Sequence, residues 1–128
     1  MITAADDTVA RELLSAARAL VNTSAPDTRG LWPRAAALLS RQALEVALKT
    51  YWSFVAPGAE DASMRAQLLS LDGYLSPAIA RDAYQAWSAL SRASHHHVYE
   101  LAPTRDELLA WCEAVEGVIS ETERAWRR

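Results

Sequence analysis

The sequence predicts an all-α fold, an antiparallel bundle of four long helices plus one short helix. Three observations point there. Alanine and leucine dominate while β-branched residues are sparse, a mixture that favours helix throughout. Apolar residues recur at helical spacing in successive segments. Most of the five prolines and four glycines stand at the breaks between those segments.

A first helix is expected from about Asp7 to Asn22, with Val9, Leu13, Ala17, Leu20 and Val21 on one stripe and acidic residues at its positive end. Residues Thr23 to Gly30 form a turn-rich connector. Pro33 suits the first turn of a second helix that continues to about Val55. Its apolar residues, including Leu38, Leu39, Val46, Tyr51, Trp52 and Phe54, are too many for one narrow stripe, which predicts a central helix buried on more than one side. Ala56-Pro57-Gly58 ends it. A shorter helix is expected near Ala62 to Leu71, before the break at Asp72-Gly73. Pro77 opens a fourth helix reaching at least Ala93, with Ile79, Ala83, Ala86, Trp87 and Leu90 inward. Thr104-Arg105-Asp106-Glu107 is a capping-box pattern, and it starts a last helix that turns Leu108, Trp111, Cys112, Val115 and Ile119 inward and its glutamates towards water.

At 128 residues the chain reads as one domain, 1–128, large enough to bury a single core without disulfides or metals. Apolar residues at 51% and charged residues at 23% exclude a disordered tail. The lone Cys112 has no internal disulfide partner and is expected as a buried, inert thiol. No run approaches membrane-spanning length, and the N-terminus lacks the basic and apolar regions of a signal peptide, so a cytoplasmic protein is expected. Net charge is −3, with six basic and five acidic residues in 1–59 against seven and eleven in 60–128. That balance gives no general attraction for nucleic acid; any polyanion must be held locally by a few arginines in a cleft.

Chemistry concentrates in Arg92-Ala93-Ser94-His95-His96-His97-Val98-Tyr99. A permanent cation, three imidazoles and a phenol occupy eight residues, which places a phosphate-grade donor beside groups that move a proton near neutral pH. On an ideal helix Arg92 shares a face with His96, and His97 is rotated away. A site using His97 therefore requires the helix to loosen or end around the histidines, as the nearby Pro103 allows. The competing reading is a solvated helix C-terminus, where cations meet the macrodipole. A zinc site is not expected: consecutive histidines point in different directions, and no further His or Cys cluster completes a tetrahedral set.

Two segments together resemble the HEPN family of small all-helical domains, which includes many RNA-cleaving toxins. Gln42-Ala43-Leu44-Glu45-Val46-Ala47-Leu48-Lys49 is similar to a Gln-Ala-x-Glu-x-Ala-Leu-Lys pattern on the corresponding family helix. Arg92 and His97, with four residues between them, resemble the family's Arg-x(4–6)-His signature, and Tyr99 completes the Arg-x4-His-x-Tyr form of one toxin branch. The resemblance implies a metal-independent endoribonuclease with no cofactor, in which the ribose 2′-OH attacks the adjacent phosphate to leave a 2′,3′-cyclic phosphate and a free 5′-OH. It implies a toxin or effector of a toxin–antitoxin, defence or stress system, active as a homodimer whose two Arg92–His97 pairs line one cleft. Histidine suits the acid and base roles, and arginine suits the charge of the transition state.

His95 and His96 are supporting phosphate or RNA contacts in this reading. Glu45 is placed with them on the second helix, and Arg41 or Arg34 would extend an RNA-binding surface. Gln42, Glu45 and Lys49 alternatively form a solvated strip with a Glu45-to-Lys49 pair. Tyr99 is a candidate regulatory site, since a partner nucleotidyltransferase can attach AMP to the tyrosine in such toxins. One position departs from the pattern. The residue after the motif arginine is commonly polar in the family and is Ala93 here, which removes a hydrogen bond that would orient the arginine or substrate. The alternative reading is therefore a catalytically inactive HEPN-like helical module that binds RNA, nucleotide or a protein partner.

Overall fold

The computed structural model describes residues 4–23, 32–95 and 102–126. Across them the chain is all-helical, with no strand among the described residues. Five α-helices follow in order: α1 (Ala4–Asn22), α2 (Trp32–Val55), α3 (Met64–Leu69), α4 (Pro77–Ser94) and α5 (Arg105–Trp126). Short 3-10 turns at Ala59–Asp61 and Ser70–Gly73 flank α3.

Local chemistry accounts for most of the boundaries. Thr104 Oγ1 accepts the Glu107 N–H at 3.1 Å while Glu107 Oε1 accepts the Thr104 N–H at 3.0 Å, so the capping box at the start of α5 is formed in both directions. Ser76 caps α4 by accepting the Ile79 N–H, with Pro77 at the first helical position. After α2, Gly58 takes φ 101°, a left-handed conformation that costs glycine little. Its N–H donates to Glu60 Oε2 at 2.8 Å. The short helix expected near 62–71 is α3 followed by a 3-10 turn, because Ser70 Oγ donates to the Ala66 carbonyl and tightens the last turn.

α2 is central, packing against α1, α4 and α5, and buries Leu44, Leu48, Tyr51 and Trp52. Leu38 and Phe54 remain exposed on it. The inward stripe of α1 differs from the expected one. Ala10, Leu14, Ala17 and Val21 are buried, Leu13 and Leu20 only partly so, and Val9 is 41% exposed. Ala17 and Val21 are inward as expected, while Ala10 and Leu14 take the inward places of Val9 and Leu13. α4 buries Ala83, Ala86 and Leu90 as expected. α5 buries Leu108, Cys112, Val115 and Ile119, and also Val118 and Thr122. Its glutamates do not all face water, because Glu123 is largely covered and holds Arg11.

Contacts fix the directions of individual pairs. Arg11 meets Glu123 at one end of the α1–α5 contact, and Asn22 meets Arg105 at the other, so these two helices run oppositely. Trp52 stacks edge-on against Tyr74 just before α4, while Arg34 reaches Ser94 at the end of α4, so α2 and α4 also run oppositely. Gly117 permits close approach of α4 to α5: a Cβ there would sit 3.3 Å from Ile79 Cδ1.

Candidate functional site

Arg92 occupies the last turn of α4 and is exposed. Two residues before it Leu90 is fully buried, and two residues after it Ser94 is 5% exposed. Full burial of a leucine contributes about 1.5–3 kcal/mol, which anchors the turn that presents Arg92. Ser94 Oγ donates to the Leu90 carbonyl at 2.7 Å, a bond that satisfies the buried hydroxyl within its own helix. Ala93, the departure from the family pattern, is half-buried and packs against the core.

α4 stops two residues after the arginine, at Ser94. His95 is its C-cap, with φ −103° and ψ 45°, and its N–H is shared between the Ser91 and Arg92 carbonyls at 3.2 Å each. The imidazole-bearing residue is exposed. His95 has left helical geometry. His96, His97 and Tyr99 lie outside the described residues.

The end of α4 is held from across the fold. Arg34 Nε, in the first turns of α2, donates to the Ser94 carbonyl at 2.8 Å. That carbonyl is one of the last four of a helix, which have no partner within the helix. A guanidinium there also meets the negative end of the macrodipole favourably. Arg34 was legible as one basic residue among many, but sequence carries no signal for a contact spanning 60 residues.

The other sequence candidates sit elsewhere on α2. Arg41 and Glu45 pair with each other, Nε to Oε1 at 3.5 Å, and both are about a quarter exposed. This ion contact is not a hydrogen bond, and Arg41 Nε is buried without a hydrogen-bond partner. Gln42 and Lys49 are exposed, and the partner of Glu45 is Arg41, not Lys49. Arg41 lies seven residues beyond Arg34 on nearly the same helix face, about 10 Å along the axis. Glu45 lies a turn further still. The structure thus brings Arg34, Ser94, Arg92 and His95 to one corner, and it keeps Arg41 and Glu45 two or more turns away.

Counting back from the Arg34–Ser94 contact, Arg41 falls alongside Trp87, and Ser91 falls between the two ends. Trp87 Nε1 and Ser91 Oγ are, like Arg41 Nε, buried without hydrogen-bond partners. Two grooves lie away from this corner. One runs between α4 and α5 beside Asp82, Trp111 and Glu113, and the other is walled by Trp52, Gln67 and Tyr74. Neither includes Arg92 or His95.

At the corner two guanidinium groups stand without a carboxylate partner among the described residues. Among the described residues Arg34, Arg65, Arg92 and Arg105 make no ion pair with a carboxylate, whereas Arg11, Arg18, Arg41, Arg81 and Arg124 do. Unpaired guanidinium donors beside an imidazole can hold a phosphate oxygen and exchange a proton with its neighbours. Among the described residues no group of three or more His, Cys, Asp or Glu comes together to hold a metal, and no helix is long and apolar enough to cross a membrane. Comparison with protein-family models, with curated proteins and with solved structures gives no match.

Proposed function

We propose that this chain is a HEPN-type, metal-independent endoribonuclease, with its four long helices forming an antiparallel bundle that displays Arg92 and His97 at one corner. The observation that carries this reading is the termination of α4 at Ser94, two residues after an exposed Arg92 with no carboxylate partner among the described residues. A motif using His97 requires the helix to end there, and His95 leaves helical geometry. One protomer supplies a single Arg92 and a single His97, so the site is a composite one in which a two-fold axis brings two motifs together. Arg92 stabilises the charged phosphorane, while His97 moves the proton to or from the reacting oxygens. Tyr99 is the acceptor for a nucleotidyltransferase antitoxin, whose transferred AMP would add bulk and negative charge beside Arg92.

A specific observation favours a second reading. Ala93 spends its side chain on core packing, so nothing at that position helps to orient Arg92. A silent HEPN-like module that binds RNA, nucleotide or a protein partner uses the same corner without chemistry.

RNA cleavage in the presence of EDTA separates the two. Wild type is expected to leave 2′,3′-cyclic phosphate ends, and Arg92→Ala and His97→Ala each lose on the order of 10²-fold or more in rate. Equal residual cleavage by all three proteins marks a contaminant and sinks the ribonuclease reading. RNA binding without cleavage moves the assignment to the silent module.

A further inference from the structure

We propose that Arg34 is a second phosphate-contacting residue of the Arg92 corner, and that its grip on the Ser94 carbonyl positions the end of α4 for an RNA backbone. The proposal rests on the reading of that corner as an RNA site.

The first support is electrostatic. The C-terminus of a helix carries the equivalent of about half a negative charge, an unfavourable place to receive a phosphate. Arg92 and His95 stand at such an end. Arg34 places a fixed positive charge on the last described carbonyl of α4, at 2.8 Å, and so offsets the repulsion where a phosphate would approach.

The second support is a count of donors. A guanidinium offers five N–H groups in a rigid fork. The Nε–H of Arg34 is used on Ser94, and among the described residues no carboxylate takes the four on its Nη atoms. Arg34 is exposed, and its Nε contact fixes the plane in which those donors lie. Arginines that serve packing in this fold look different, since Arg11 gives Nε and both Nη atoms to Glu123, Glu116 and Ser120. A fork held by one donor and open at the others suits a phosphodiester next to the one on Arg92.

The test measures binding of a 2′-O-methyl RNA oligonucleotide, which lacks the attacking hydroxyl, across a salt series. Wild type, Arg34→Gln, Arg34→Lys and Arg92→Gln are compared, with thermal melts alongside. Each lost phosphate contact is expected to lower the slope of log K against log salt by about 0.7 for a single strand. Arg34→Gln should therefore show a shallower slope and roughly tenfold weaker binding at low salt, while Arg34→Lys keeps the slope. An unchanged slope in a folded Arg34→Gln protein overturns the proposal and leaves Arg34 a structural clamp.

Should the glutamine variant not fold, the side-chain Nε–Hε signal of Arg34 in the wild type decides. It must shift on adding the oligonucleotide with the same midpoint as that of Arg92, and a stationary signal overturns the proposal. Absence of wild-type binding overturns it too. Cleavage of ordinary RNA is scored separately. Binding with the Arg34-dependent slope but no cleavage refutes the ribonuclease and retains Arg34, whereas cleavage with an unchanged slope does the reverse.

Discussion

Along the seam between α1 and α5, Arg11 is closed in by Glu123 at 2.7 Å and Glu116 at 3.0 Å, with Arg18 drawing on Glu116 at 3.7 Å. At the end of α4, Arg92 and Arg34 meet no carboxylate among the described residues. The two regions use one side chain for opposite ends. Hydrogen bonding to Glu123 holds the Arg11 charge even more firmly than usual, against the opposing pull of burial. Its donors are consumed inside the fold. The corner arginines keep theirs, as Arg65 does among the described residues, while Arg105 reaches only the Asn22 amide. Arg11 is architecture here, whereas the guanidinium groups at the end of α4 keep donors that no carboxylate among the described residues takes.

The sharpest way to break that division is to exchange outcomes between the regions. Arg92→Ala should lower RNA cleavage by on the order of 10²-fold or more while changing stability by no more than about 0.5 kcal/mol, as expected for an exposed side chain with no carboxylate partner among the described residues. Arg11→Ala should do the opposite, leaving cleavage unchanged and costing about 1–2 kcal/mol in urea denaturation, because Glu123 is left largely covered and unpaired. High salt should shrink the second loss, since part of it is screened Coulomb attraction. Loss of cleavage in a well-folded Arg11→Ala protein would show that the seam also serves the chemistry.

A smaller effect tests whether α5 holds its place at the seam through its own start. Thr104→Ala removes one arm of the capping box and should cost about 1 kcal/mol, again without a change in cleavage. If the start of α5 frays as far as Arg105, the contact to Asn22 goes with it, and amide exchange at Leu108 should quicken.

These elements also mark how far the sequence could be read. The Thr104–Glu107 box and the Ser76–Pro77 start are contacts between near neighbours, so residue types at fixed offsets reveal them. The central place of α2 follows from apolar residues around more than one side. Choosing Val9 over Ala10 for the core of α1 failed because hydrophobicity ranks valine higher, whereas close helix packing selected the smaller side chain. Arg92 was singled out by its motif, and the structure places it exposed in the last turn of α4. Arg34 was named with Arg41 as an extension of an RNA-binding surface, but nothing in the sequence showed its contact with Ser94, which only the folded chain brings near. Pairing Glu45 with Lys49 failed for a related reason: Arg41, four residues earlier on the same face, competes for the same carboxylate.

The smallest expected effect probes how well the seam contains its own charge. Burial pushes the Cys112 thiol above its ordinary value, against weaker lowering by the Ser40 hydroxyl and the Arg18 cation. A thiol is neutral when protonated, so the folded chain keeps a proton that the unfolded chain begins to release near pH ~8.5. The stability from this group is full below the unfolded value and is lost as pH rises through the folded one. Urea midpoints should thus decline on the alkaline side of neutrality, and Cys112→Ala should flatten that decline. Glu116 matters because it neutralises Arg18. In Glu116→Gln the Arg18 charge reaches the thiol less opposed, the folded thiol titrates closer to the unfolded one, and the alkaline decline becomes shallower than in wild type. An unchanged decline would mean that the seam's carboxylates do not confine its arginines, and the contrast with the end of α4 would then rest on hydrogen bonding alone.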